Sequence, residues 1–301
     1  MSATVAPSVR GELRSVWSAG ALLGEGTLWS ERQQALFWVD ILGHQLHRYS
    51  PATRSRDSWA FDEEISAVAE RRNSNSLLVT LRRDIARFDL DTGHLQRLHR
   101  PEPDLPGNRF NDGKCDAQGR FWGGTMDFAC QAPTGALYRY GADGSCRRMH
   151  TGFAVTNGPT WSLDGCTLYF NNTVQGQVHA FDCDPVTGEL GASRVWLHMA
   201  PEDGVPDGMT TDAAGRIWIA HWGGACVTCH DPVSAVELLR IPLPASQVTN
   251  CAFGGPDLRT LFISSARSGL DARQQRAEPL AGALFCVDVD SPGLAPPLFA
   301  G

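Results

Sequence analysis

Apolar residues in this chain come in short runs broken by Asp, Gly, Asn or Pro, and one arrangement of them recurs. A polar residue opens a short apolar strand, and a turn rich in Asp, Gly or Asn follows. A second strand rich in Trp, Phe or Tyr comes next, and a third ends in another Asp/Gly turn. Six segments share this design: GEGTLWSERQQALFWVDILGHQLHRYSP, EISAVAERRNSNSLLVTLRRDIARFDLDTG, NDGKCDAQGRFWGGTMDF with GALYRYGADG, NGPTWSLDGCTLYFNNTVQGQVHAFDCDPVTG, DGMTTDAAGRIWIAHWGGACVTCHDPVS, and NCAFGGPDLRTLFISSARSG with GALFCVDVD. Their opening residues are Glu25, Glu64, Asn111, Asn157, Asp207 and Asn250, separated by 39, 47, 46, 50 and 43 positions.

Units of this size, each with three or four short strands, predict the blades of a β-propeller. The Trp-Asp and paired-glycine signatures of WD40 and kelch repeats are absent from them, and sandwiches do not repeat a unit this long. The expectation is therefore an all-β, six-bladed propeller of four-stranded antiparallel blades around a central channel. It forms a single domain over residues 1–301, with residues 1–12 a poorly ordered tail. Leu13–Ala19 and Pro296–Ala300 are apolar segments outside the six units, and either could supply an outer strand that closes the ring.

Composition narrows the choice further. With 31 Gly and 18 Pro spread along 301 residues, almost no stretch is free of a helix breaker, which excludes a helix bundle. A hydrophobic share of 42% with nine Trp and thirteen Phe excludes a low-complexity chain. A formal charge of −7 argues against nucleic acid or an anionic membrane as partner. The first twenty residues hold no continuous apolar core of a signal peptide, and no run of apolar residues is long enough to span a bilayer. Nine scattered cysteines, an odd number, suggest reduced thiols and a cytoplasmic protein. Cys226-Val227-Thr228-Cys229-His230 matches the short haem-attachment pattern, but the reading adopted here is a strand of small residues.

The six opening residues carry the chemistry. In a propeller the innermost strands line the channel, so equivalent repeat positions form a ring about its axis. Every member of the ring Glu25, Glu64, Asn111, Asn157, Asp207 and Asn250 offers a side-chain oxygen. Such a ring suits a hard divalent cation, Ca²⁺ or an Mn²⁺ or Fe²⁺ with an open position. The alternative is a set of polar caps around a water-filled channel. The absence of His and Cys from the ring argues against a closed structural zinc site. No G-x-S-x-G elbow, H-E-x-x-H pair, phosphate loop or dinucleotide fingerprint occurs. His44 and His47 are read as surface or satisfied turn histidines.

At the level of GEGTLW, RFNDGK, TNGPTWSLDG, VPDGMTTDAAGRIW and NCAFGG, the sequence resembles the regucalcin (senescence marker protein)/gluconolactonase family of six-bladed sugar lactonases. The resemblance implies that Glu25, Asn157 and Asp207 hold one divalent cation at the channel mouth, with Ca, Zn, Mn and Fe(II) all open. It further implies that Arg109 and Asn111 orient the substrate. Where some relatives carry an acidic pair after Gly123-Gly124-Thr125-Met126, this chain has Asp127-Phe128-Ala129, so Asp127 is the residue offered for substrate contact. The expected activity is hydrolysis of an aldonolactone (arabinono-, xylono- or gluconolactone), with Asp207 positioning or deprotonating the attacking water and Arg109 and Asn111 binding hydroxyls. Asp112, next to a ring residue, is read as shaping its NDG turn. Expected partners are a small sugar lactone, with no nucleic acid or membrane, in a monomer or weak homo-oligomer. The rival reading is a non-catalytic propeller that binds calcium or a small molecule for regulation.

Overall fold

Each repeat folds into its own antiparallel sheet. The computed structural model describes residues 5–301. After β1 (Val9–Trp17), the first sheet is β2–β5 (Gly24–Ser30, Ala35–Asp40, Gln45–Ser50 and Ser55–Ala60). The second is β6–β9 (Ile65–Glu70, Ser76–Leu81, Ile85–Asp89 and Leu95–His99). The third is β10–β13 (Asn108–Cys115, Phe121–Asp127, Gly135–Tyr140 and Cys146–Phe153). The fourth is β14–β17 (Thr156–Trp161, Thr167–Asn172, Gln177–Cys183 and Leu190–His198). The fifth is β18–β21 (Val205–Thr211, Ile217–Trp222, Cys226–His230 and Glu237–Pro242). The sixth joins β22–β24 (Val248–Gly254, Thr260–Ser265 and Leu284–Val289) to β1, in the order β1-β24-β23-β22. One short helix, α1 (Ala272–Ala277), sits between β23 and β24.

The inner strands β2, β6, β10, β14, β18 and β22 pack in a closed cycle, each against the next and β22 against β2. This is the expected six-bladed propeller. Its core is divided among the seams between blades, one cluster to each. Trp29, Leu36 and Trp38 meet Phe262 and Leu284 between the first and sixth sheets. Trp122 and Leu137 meet Phe170 and Phe181 between the third and fourth. Because the blades are packed on both faces, the second strands of the first two, β3 and β7, are buried along their whole length. They therefore read as continuous apolar runs rather than alternating ones.

A polar clamp recurs beneath two blades. Asp116 and Asp212 each accept two backbone amides of the following turn, then the Nε of an arginine four residues on (2.7 Å in both), and finally a Trp Nε1, at 2.8 Å from Trp122 and 3.0 Å from Trp218. A buried carboxylate so fully satisfied fixes the inner strand to the tryptophan of the second strand.

The ends resolve differently from one another. β1 supplies the closing outer strand, pairing with β24 from Val9↔Val289 to Trp17↔Leu284. The tail expected over 1–12 is thus shorter, since Val9–Glu12 belong to this strand; residues 1–4 lie outside the described residues. Pro296–Ala300 completes no blade. The amide of Phe299 donates to Glu70 O and that of Ala300 to Gly119 O, which lays this segment under the second and third blades. Cys226–His230 is β20, a buried strand with both thiols free.

Candidate active site

Five of the six opening residues lie within inner strands and Glu64 directly precedes one, and a register irregularity sits beside each. The pairing of the inner strand with its neighbour slips between Glu25 and Leu28, Ile65 and Ala67, Phe110 and Gly113, Asn157 and Thr160, Pro206 and Met209, and Val248 and Asn250. A bulge bends the strand and re-aims its side chains, so six bulges in register turn six polar residues toward the axis. Glycine makes the close approach possible. A Cβ on Gly208 would lie 2.2 Å from Asn250 Nδ2, and Gly26 adopts a φ of 57° at its bulge.

Glu25 and Asp207 are both buried, and each carboxyl acts on the other. Burial, then the charges of Asp207 and Asp112, holds the Glu25 carboxyl well above the usual range. Burial, then Asp112, does the same to Asp207. Asp207 Oδ1 is buried with no hydrogen-bond partner. Its main-chain carbonyl accepts from Asn171 Nδ2 and so fixes the residue from behind. Asn157 stands alongside. Its Nδ2 donates to Thr173 Oγ1 (3.0 Å), which donates to Pro206 O (2.9 Å), and its Oδ1 accepts from Asn111 Nδ2 (2.8 Å).

Arg109 completes a chain of side chains along this edge. Its Nη1 donates to Asn111 Oδ1 (2.7 Å) and Phe110 O (2.9 Å), and the residue is buried. Desolvation lowers its pKa, partly offset by Cys130 and then by Glu25, Glu64 and Asp207. With Nη1 engaged by two acceptors, Nε and Nη2 remain as donors for a ligand. Phe128 covers the group, with the Arg109 guanidinium 6.0 Å and the Arg82 guanidinium 4.9 Å from its ring centre.

The other sequence-derived candidates separate. Glu64 pairs with Arg82 Nη1 at 3.6 Å. Asn250 turns away from the carboxylate pair: its Oδ1 accepts from Thr27 Oγ1 (2.7 Å) and its Nδ2 donates to Asp112 Oδ2 (3.4 Å). Asp127 caps its own loop, its Oδ2 accepting the amides of Gln131 (3.0 Å) and Ala132 (2.8 Å), which lowers its pKa.

Asp112 is the residue that sequence reasoning missed. Far from only shaping a turn, it is buried in the channel and accepts from Gly113 N, Gly158 N and Asn250 Nδ2. Strict alternation along β10 would send Asn111 and Asp112 to opposite faces; the bulge there makes both available to the channel. A cavity of about 280 Å³ lies where the inner strands finish. Lys114, Thr160, Thr211 and Leu294 are among its walls. Asp112 is among its walls, but Glu25 and Asp207 are not, so cavity volume and the carboxylate pair are separate features.

The donor set fits a hard cation. Two buried carboxylates crowded together and an orphaned oxygen are what remains when a positive charge belongs between them. Among the described residues no three His, Cys, Asp or Glu side chains gather as a ligand group, so a cation here depends on the amide oxygen of Asn157 as its third ligand.

Fold and site together define a six-bladed propeller with an oxygen-lined channel mouth and an arginine at its edge. The family model for the "SMP-30/Gluconolactonase/LRE-like region" matches residues 23–267. The chain is 35% identical to the L-arabinolactonase of Azospirillum brasilense over 282 residues, covering 93% of this chain and 92% of that one. It is 32% identical to regucalcin of Xenopus laevis over 285 residues, covering 93% and 95%. The structure of regucalcin from Agrobacterium tumefaciens, a calcium-binding protein, superposes with a TM-score of 0.92 at 31% identity, covering 99% of this chain and all of that one. The chain belongs to the SMP-30/gluconolactonase/LRE-like family.

Proposed function

We propose that this protein is a sugar lactonase that opens an aldonolactone with a divalent cation held by Glu25, Asn157 and Asp207. The observation that supports this reading most is the orphaned Asp207 Oδ1 beside Glu25, next to a buried Arg109–Asn111 couple with donors to spare. Lactonase relatives, the L-arabinolactonase of A. brasilense among them, support the same reaction class. A cation bound at this donor set would polarise the lactone carbonyl and stabilise the charge that develops on its oxygen.

The remaining chemistry belongs to the chain. Asp207 Oδ1, which has no hydrogen-bond partner within the protein, takes a proton from the attacking water. Water adds to the carbonyl carbon, the ring C–O bond breaks, and the ring oxygen leaves as a hydroxyl after receiving that proton. Arg109 Nε and Nη2 donate to substrate oxygens in a fixed plane. Asn111, held between Arg109 and Asn157, keeps that plane in register with the cation ligands. Asp127, engaged by its own loop, would touch substrate only through its free Oδ1.

A regulatory, non-catalytic ion binder has no need of the Arg109–Asn111 couple, and this favours the enzyme. Hydrolysis of glucono-, xylono-, arabinono- and galactonolactone, followed by acid release, tests the proposal. We expect turnover of at least one lactone, lost on exhaustive chelation and restored by a single added cation. Full activity in the metal-free protein, or no turnover of any lactone, would overturn it.

A further inference from the structure

Lys114 is the only lysine in the sequence, and it lies inside the channel. Its ammonium donates to the main-chain oxygen of Met209, two residues after Asp207. Its charge is the foremost of those acting on Asp112, whose Oδ2 is tied to the Gly158 amide (3.1 Å), directly after the proposed ligand Asn157. Asp112 in turn is felt by both Glu25 and Asp207. Asp112 and Lys114 both line the cavity where the inner strands finish. Lys114 thus holds the backbone two residues after Asp207, and Asp112 the amide directly after Asn157, both from the side of the cavity.

We propose that Asp112 and Lys114 form a fixed charge pair next to the cation site that sets how tightly, and at what valence, the site holds its ion. This inference rests on the cation reading of Glu25, Asn157 and Asp207. Asp112 draws a cation in; Lys114 opposes it and keeps Asp112 available as an acceptor for Gly158 and Asn250. Both are positioning residues, touching neither ion nor substrate. The energy of an ion in the field of a fixed charge scales with the ion's own charge, so removing one unit charge changes trivalent binding more than divalent binding. In a channel of intermediate dielectric the difference is about tenfold in affinity ratio.

The test uses the metal-free full chain and two probes, Mn²⁺ and Tb³⁺, each titrated alone. Lys114→Met should tighten both and raise the Tb³⁺/Mn²⁺ affinity ratio about tenfold. Lys114→Arg, which keeps the charge, should leave the ratio as in the wild type. Asp112→Asn should lower it, and Asp112→Asn/Lys114→Met together should return it to near the wild-type value, a cycle that still reads out if one single variant folds poorly. Wild-type protein that binds neither ion removes the cation reading itself. Wild-type protein that binds both, with the ratio unmoved in Lys114→Met and in Asp112→Asn, overturns this proposal alone.

Discussion

Asp207 concentrates the conflict in the site: a carboxylate fully withdrawn from water, pressed against Glu25, with one oxygen left without a partner. Asp207→Asn keeps a ligand oxygen but removes the base, so kcat should fall by about 10²–10⁴-fold. The metal-free variant should melt no lower than the wild type, because a buried like-charge contact is gone. Unchanged kcat in a steady-state assay would take the proton from Asp207. Repetition marks six ring positions in the sequence, Glu25, Asn157 and Asp207 among them; the choice of those three, and Arg109 altogether, came from the family resemblance. Asp112 was not legible, because its orientation depends on a bulge, and a bulge leaves no trace in a period-two pattern. The turn-capping of Asp127 was equally hidden, since two amides from Gln131 and Ala132 claim the side chain only once that loop has folded back.

Among the elements, β1 is the one with an outsized role. It is the outermost strand of its sheet and largely exposed, yet it is the piece that joins the first residues of the ring to the last blade. Removing residues 1–17 should leave β24 as a bare edge and open the seam packed by Trp17 against Trp38, whose rings lie 5.5 Å apart. We expect the midpoint of thermal unfolding to drop by several degrees or more, read by circular dichroism; an unchanged midpoint would show that the ring is closed by other means. The sequence marked two apolar end segments without choosing between them. Ladder hydrogen bonds decide the matter: β1 has a free partner in β24, whereas Pro296 and Pro297 have no amide hydrogens to offer a ladder.

For the molecule as a whole, acid sensitivity has an identifiable contributor. His47 is buried between Trp38 and Trp17, with ring centres 4.5 and 4.9 Å away, and its Nδ1 meets Ser58 Oγ at 2.7 Å. Desolvation brings its pKa from 6.5 down to about 4. The unfolded chain therefore takes up a proton before the folded one does. His47 imposes no stability cost above pH 6.5, and the cost grows as pH falls from there toward about 4. His47→Gln should flatten the pH dependence of the unfolding midpoint across that window; parallel curves for variant and wild type would assign the acid loss to other groups.

The pairing of Val9 with Val289 has a consequence for how the protein comes into being. A ribosome delivers β1 before, and its partner β24 after, all the other strands of the propeller, so the first strand waits unpaired while the rest of the ring is made. Contacts of such long sequence separation form slowly. Glu25, in the first blade, likewise meets Asp207 only once four blades have emerged and the fifth has begun. An incomplete chain therefore presents open seams and no assembled channel mouth, and whatever chemistry the mouth performs begins only once the circle has shut.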